Sequence, residues 1–380
     1  MLQFLDYETL RVIWWGLLGV LLMGFAAMDG FDLGVCIWLP FLAKTDSERR
    51  MIINSVGPVW EGNQVWLILG AGAIFAAWPP VYAVAFSGFY LAMFLVLCSL
   101  ILRPVGFKYR SKLEDPRWRE VWDWLLFAGG LVPALVFGVA VGNALLGAPF
   151  RFDPDLRMSY EGNLLGLFQP FALLTGLVSV AMLAMHGASY LAAKTGTPVA
   201  ARARRAAWLA AMTLIVLFAI GGFWTAKLDG YRIVGSLAHD AASNPLHKQA
   251  VRQAGGWLAN YSAMPWTMIA PALGFGGAAL MALAQRLRYD KLAVVASGAA
   301  VMGVVATAGL SMFPFILPSS LDPSMSLTVW DASSSRGTLA LMLVATVVCL
   351  PFVLAYTAFV YRVLRGRVTA GRIEADPHSY

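Results

Sequence analysis

The stretch Trp60-Glu61-Gly62-Asn63-Gln64-Val65-Trp66 sets one carboxylate and two amides at the mouth of an apolar run that continues to Trp78. An ionisable group inside a spanning segment is costly unless it faces protein or water, so Glu61 is a functional candidate by default. The plainer alternative places Glu61 in the headgroup layer beside its two tryptophans, which favour that depth. Two further carboxylates, Asp29 and Asp32, are three residues apart and therefore on neighbouring faces of one helix. With Glu61 they are expected to form a small acidic group near the inner halves of the first two spans. Acids in such a setting are the usual stepping stones for protons, because burial lets a carboxyl group exchange near neutrality. Asp29 and Asp32 can equally cap a helix break at Gly30.

Other chemistry is sparse. His186 alone among four histidines falls in an apolar run; His239, His247 and His378 fall in loops. A haem held by two histidines needs a second intramembrane histidine. A single-ligand haem on His186 stays open beside a hydrogen-bonded core histidine. Cys36, Cys98 and Cys349 are isolated in apolar runs with no metal or disulfide spacing. No phosphate loop, nucleophile elbow or H-E-x-x-H pattern occurs. The basic cluster Phe107-Lys108-Tyr109-Arg110-Ser111-Lys112 reads as an orientation signal that can also meet anionic lipid or an acidic loop. The run Ser311 to Ser320, with two prolines, reads as an ordered outer loop.

The elements that must position these groups are membrane helices. Of 380 residues, 59% are hydrophobic and 13% charged, and the mean hydropathy is +0.69. No soluble domain can hide that much apolar surface. Apolar runs mark nine spans, at about 9–40, 54–77, 80–102, 122–146, 162–192, 206–226, 262–284, 293–313 and 337–361. The first, in which Thr9 to Met28 serves as an uncleaved span, is overlong, so a kink or tilt is expected near Asp29-Gly30-Phe31-Asp32. The second is the least regular, because Pro58, Glu61, Asn63 and Gln64 occupy its first turns. The fold class is all-α: about nine transmembrane helices in two four-helix bundles plus one peripheral helix. The first bundle covers about 1–150, the second bundle and last helix about 160–365, and a short tail 366–380.

Under this count one set of alternate loops carries 20 of the 28 Lys and Arg, from Lys44, Arg49 and Arg50 through Arg103 to Arg372. That excess puts these loops and the C-terminus in the cytoplasm and the N-terminus outside. The net charge of +7 is therefore topological and argues against a nucleic-acid partner. The largest outer loop, Lys227 to Tyr261, has room for one amphipathic surface helix. A faint echo, Glu61-Gly62-Asn63 and Glu161-Gly162-Asn163, does not make a repeat. Two classes fit a proton-capable acidic patch with no redox centre of its own. One is a proton-coupled secondary transporter, against which the lack of an inverted repeat speaks. The other is a subunit of a larger membrane enzyme whose partner carries the cofactors.

More specific runs follow one another along the chain. They are Asp29-Gly30-Phe31-Asp32-Leu33-Gly34, the Trp60–Trp66 motif, Phe75-Ala76-Ala77-Trp78-Pro79, Phe86-Ser87-Gly88-Phe89-Tyr90 and Arg103-Pro104-Val105-Gly106-Phe107. Ala242-Ser243-Asn244-Pro245-Leu246, Met312-Phe313-Pro314-Phe315 and Leu327-Thr328-Val329-Trp330-Asp331-Ala332 complete the series. In these runs, in their order and in its length, the chain resembles subunit II of the cytochrome bd-type quinol oxidases. The resemblance implies a bacterial inner-membrane terminal oxidase that oxidises quinol and reduces oxygen to water, generating proton motive force. It implies a partner, subunit I, that binds two haems b and haem d, with small accessory subunits and membrane lipid around the pair. This chain is then a scaffold that contributes a proton path and oxygen access, and some relatives hold a structural quinone. Glu61 takes the acidic slot of the family motif, associated with proton uptake, with Asp29 and Asp32 further along the path. Trp60, Asn63, Gln64 and Trp66 are motif residues, Trp66 near the oxygen entrance. Lys108 departs from relatives with an acid there, which alters the mouth of the path.

Overall fold

The computed structural model describes residues 5–369, 371 and 373; Arg372 and His378 lie outside the described residues. The chain is mostly helical: α1 (Tyr7–Leu42), α2 (Asp46–Val56), α3 (Trp60–Ala77), α4 (Pro79–Gly88), α5 (Tyr90–Leu100), α6 (Leu102–Tyr109) and α7 (Pro116–Leu146) come first. Then follow α8 (Pro170–Lys194), α9 (Val199–Thr225), α10 (Ala259–Ala263), α11 (Ile269–Arg286), α12 (Asp290–Met312) and α13 (Arg336–Val363). Three antiparallel ribbons close the loops: β1–β2 (Phe150–Phe152, Met158–Tyr160), β3–β4 (Asp229–Val234, Gln249–Ala254) and β5–β6 (Phe315–Leu317, Leu327–Thr328).

Among the described residues, eight helical segments are long and apolar enough to cross a membrane. The expected ninth, about 54–77, is helical only from Trp60 as α3; residues 54–59 finish α2 and turn instead. Glu61, Asn63 and Gln64 in its first turns dilute its apolar character. Its contacts nevertheless step back along α1 as it advances: Asn63 bonds Asp32, Trp66 covers Gly24, and Gly70 faces Leu22. So α3 runs antiparallel to α1. The expected 80–102 span is likewise divided, with α4 ending at Gly88 and the membrane-length segment running from Tyr90 to Lys112.

No break interrupts α1 at Asp29-Gly30-Phe31-Asp32; the helix is continuous for 36 residues, about 54 Å at 1.5 Å per residue. The aspartates thus cap nothing, and their charge has to be met by neighbouring helices. Helix α1 packs on α3, α7, α8 and α12, and α8 is largely enclosed, whereas α13 packs on α1 and α3 and is mostly exposed. Lipid tails are as apolar as the side chains, so close helix contact must come from backbone approach over small residues. At the α1–α8 crossing Gly34 faces Gly187: a Cβ on Gly34 would lie 2.0 Å from the Leu183 carbonyl oxygen.

The Lys227–Tyr261 loop forms the β3–β4 hairpin rather than a surface helix. Its Tyr231 ring and Trp257 tuck against Phe315, and the Trp257 Nε1 donates to the Leu145 carbonyl at 3.0 Å. Those anchors reward an extended strand. The echoed triplets also differ: Glu61-Gly62-Asn63 is helical, while Glu161-Gly162-Asn163 is loop after β2.

Helix α2 opens with Thr45, whose hydroxyl accepts from the Glu48 N–H, while Glu48 accepts from the Lys44 N–H at 2.6 Å and pairs with Arg202 at 2.6 Å. Burial pushes the Glu48 carboxyl up, but the Lys44 N–H and the Arg202 guanidinium outweigh it, so it titrates below its ordinary 4.5. A lowered folded value means the stabilisation is present above pH 4.5 and disappears as the pH falls through that lowered value. The protection of the first-turn amides of α2, measured as exchange relative to the intrinsic rate at each pH, should fall on that acidification, and Glu48→Gln should remove that fall. Separately, Gly34→Ala should lower stability by about 1–3 kcal/mol in thermal unfolding, while Gly16→Ala, with nothing within 4 Å, should be silent.

Candidate functional site

Asp29 and Asp32 are both fully buried, and different helices answer them. Arg103 of α6, also fully buried, grips Asp29 in a two-pronged pair, Nη1 to Oδ1 at 2.9 Å and Nη2 to Oδ2 at 3.1 Å. Gly129 of α7 leaves room for the arginine stem: a Cβ there would lie 3.2 Å from Arg103 Cγ. Protonating Asp29 would strand a guanidinium in an apolar interior, so the pair is a fixed charge element.

Asp32 has a different neighbourhood. Asn63 of α3 donates through Nδ2 to Asp32 Oδ2 at 2.8 Å, and the Tyr361 hydroxyl of α13 donates to Asn63 Oδ1 at 2.8 Å. The Tyr361–Asn63–Asp32 chain therefore links three helices. Asp32 Oδ1 is enclosed and has no hydrogen-bond partner. A buried acceptor in that state is satisfied by a proton on the group or by water. Tyr190 closes the neighbourhood, stacking on Phe31 at 4.1 Å and donating to the Ser55 carbonyl.

Glu61 does not join the aspartates. It and Asn63 are two residues apart, about 200° around a helix, so burying Asn63 turns Glu61 outward. Its side chain is 69% exposed, with Lys108 Nζ 4.0 Å away on a side chain 59% exposed. Such a pair adds little stability but sets the charge at that spot. Of the other motif residues, Trp60 is buried against Phe107, Trp66 is buried over Gly24, and Gln64 is half-buried. The expected three-acid group is thus two buried aspartates with separate partners and one peripheral glutamate.

His186 is buried with both ring nitrogens engaged, Nδ1 with Ser297 Oγ at 2.8 Å and Nε2 with the Ala27 carbonyl at 2.9 Å. The ring does not fit the role of an iron ligand. His239 bonds Glu8 and stacks on Trp330, and His247 bonds Asn244. Among the described residues, no group of three or more His, Cys, Asp or Glu is placed to hold a metal ion.

Sequence reasoning placed Arg103 among loop charges and overlooked Tyr361. The signal for Arg103 was the two intramembrane aspartates themselves, which require a cation within reach. Tyr361, near the end of a helix with aromatic neighbours, carried no distinguishing mark.

Comparison with known proteins bears on all of this. Residues 10–364 match the family model described as cytochrome bd terminal oxidase subunit II. The chain is 50% identical over 376 residues to the Escherichia coli protein named cytochrome bd-I ubiquinol oxidase subunit 2, covering 99% of each. It is 31% identical over 361 residues to the Bacillus subtilis cytochrome bd ubiquinol oxidase subunit 2, covering 95% of this chain and 97% of that one. Its fold is similar to a chain in the structure of bd oxidase from Geobacillus thermodenitrificans, with a TM-score of 0.67 at 12% identity, over 94% of this chain and 98% of the other.

Arg103→Met should leave Asp29 charged and alone, lowering stability by about 3–5 kcal/mol. The double replacement Asp29→Leu with Arg103→Met should recover much of that loss. Thermal unfolding in detergent measures both, and an unchanged single variant would mean that the pair is not closed.

Proposed function

Because the chain belongs to the cytochrome bd terminal oxidase subunit II family, we propose how its geometry serves the oxidase. It is a multi-pass subunit of a bacterial inner-membrane quinol oxidase, working with a subunit I in a complex that uses haem and quinol. Family membership, not a solute pathway, decides against the transporter. The match along residues 10–364 carries this conclusion.

The finer assignments are our reading. Two haems b and haem d reside on subunit I, where they supply electron transfer to oxygen; the commitment of both His186 nitrogens favours that division. The N-terminus faces the periplasm and the C-terminus the cytoplasm, on the charge excess. The chain is one integral membrane domain, with a first bundle to about residue 150, a second bundle and last helix over 160–365, and a cytoplasmic tail. Small accessory subunits and lipid meet its exposed apolar faces, and oxygen entry lies near Trp66. A structural quinone would lie between its helices.

For protons, Glu61 gathers them at the exposed mouth, with Lys108 tuning the local charge. Asp32 is the interior acid able to take one, at the unpartnered Oδ1. Asn63 and Tyr361 hold the opposite oxygen in place. Asp29, held by Arg103, sets the local field without itself exchanging. A relay needs an exchangeable acid, so Glu61→Gln and Asp32→Asn should each slow quinol oxidase turnover, Asp32→Asn by roughly tenfold or more, with haem content retained. Oxygen uptake by the purified complex across neutral pH measures this. Full turnover in Asp32→Asn would remove Asp32 from the path.

A further inference from the structure

Helix α13 is buried only at Leu339 and Ala340, in its first turn, where Trp14 Nε1 donates to the Leu339 carbonyl at 2.9 Å. Residues 341–363 are all exposed or half-buried. Apolar surroundings give such a helix no preferred rotation or height, yet Tyr361, in its last turn, has to place a hydroxyl on Asn63. The chain that follows supplies the constraint. Gly366, at φ +122°, a conformation suited to glycine, turns the tail toward the loop between α8 and α9. There Val368 lies in parallel register with Thr195. The Val368 N–H donates to the Lys194 carbonyl at 2.7 Å, and the Gly196 N–H donates to the Val368 carbonyl at 3.0 Å. Lys194 Nζ also donates to the Leu364 carbonyl. Arg367 Nη2 donates to Asp290, the first residue of α12, at 3.0 Å, and Arg204 of α9 holds the same carboxylate through two bonds of 2.8 Å. A half-exposed ion pair alone fixes little. Beside a two-bond backbone pairing it completes a clasp on three helices, of which α8 packs on both α9 and α12.

The consequence lies in the Asn63 amide. With the Tyr361 hydroxyl donating to Oδ1, the other end, Nδ2, is the one that meets Asp32. An amide N–H bonds a carboxylate or the carbonyl oxygen of the acid, whereas an amide oxygen bonds only the protonated acid. An acid that gains and loses a proton keeps its partner in both states only while the amide stays in this sense. Withdrawing the Tyr361 hydroxyl frees Asn63 to turn over, and the loss falls on the proton step rather than on assembly.

We propose that Arg367, Val368 and Asp290 are positioning residues for the relay: their clasp of the tail on the α8–α9 loop holds Tyr361 on Asn63, and through Asn63 orients the partner of Asp32. The proposal rests on the reading of Asp32 as the interior acid. The test is oxygen uptake per haem by the purified complex. Tyr361→Phe should slow turnover roughly fivefold, the scale of one hydrogen bond. Arg367→Gln with Val368→Pro removes the cation and the N–H of the clasp, and should slow turnover to a similar degree with haem content retained. Added to Tyr361→Phe, the same pair of changes should slow it no further, because both act through one hydroxyl. Arg367→Lys with Val368→Ala, which keeps the cation and the N–H, should restore wild-type turnover. Where Val368→Pro prevents assembly, Arg367→Glu, which sets a carboxylate against Asp290, replaces it with the same expectations. Full turnover in the clasp variant overturns the proposal, and so does further slowing in the Tyr361→Phe background, which is the mark of a merely structural role. Those results leave the relay standing so long as Asp32→Asn, measured alongside, is slow. Full turnover in Asp32→Asn sinks the relay and this proposal with it.

Discussion

A carboxylate cannot sit inside an apolar bundle unanswered, and the Asp29–Arg103 pair is the answer from which the rest of the interior is arranged. Both side chains are fully buried, and both prongs of the guanidinium are used. The pair joins α1 to α6 in the middle of the protein. It also separates two aspartates that look equivalent in the sequence. One becomes part of a fixed ion pair; the other is left with a neutral amide and one open oxygen. Buried pairs contribute little net stability against an apolar replacement but strongly penalise a lone partner, so this pair specifies geometry more than it adds strength.

The same logic governs the helix contacts. With no hydrophobic force between helices in lipid, α1 and α8 approach through Gly34 and Gly187, and polar links do the remaining work. Tyr361 reaches from the mostly exposed α13 to Asn63, so the peripheral helix is tied to the polar interior. The subunit's contribution to oxidase chemistry follows from what its side chains are already doing. His186 is spent on Ser297 and Ala27, while Asp32 Oδ1 has no hydrogen-bond partner, and the proposed relay runs through that oxygen.

Much of this was legible in the sequence, for stated reasons. Long apolar runs predict spans because backbone polar groups in lipid need helices, and most of the expected spans are there. The 54–77 segment starts its helix later than expected, at Trp60, because an apolar window averages over Glu61, Asn63 and Gln64 without asking where the helix begins. The Trp60–Trp66 motif drew attention to the right segment, yet Glu61 points outward and Asn63 carries the interior contact, a consequence of helical period. Arg103 was hidden because a charge at the end of an apolar run reads as topology. The β3–β4 hairpin was missed because its anchors, Tyr231 and Trp257, find their partners in distant loops.

The central claim is that the two interior aspartates differ in kind: Asp32 can take up a proton and Asp29 cannot. Redox-induced infrared difference spectra of the intact oxidase report it directly, through the carboxylic-acid C=O stretch and its shift in heavy water. The account predicts that an exchange-sensitive carboxyl band disappears in Asp32→Asn and survives in Asp29→Asn. A band that vanishes with Asp29→Asn, or one untouched by Asp32→Asn, would contradict it.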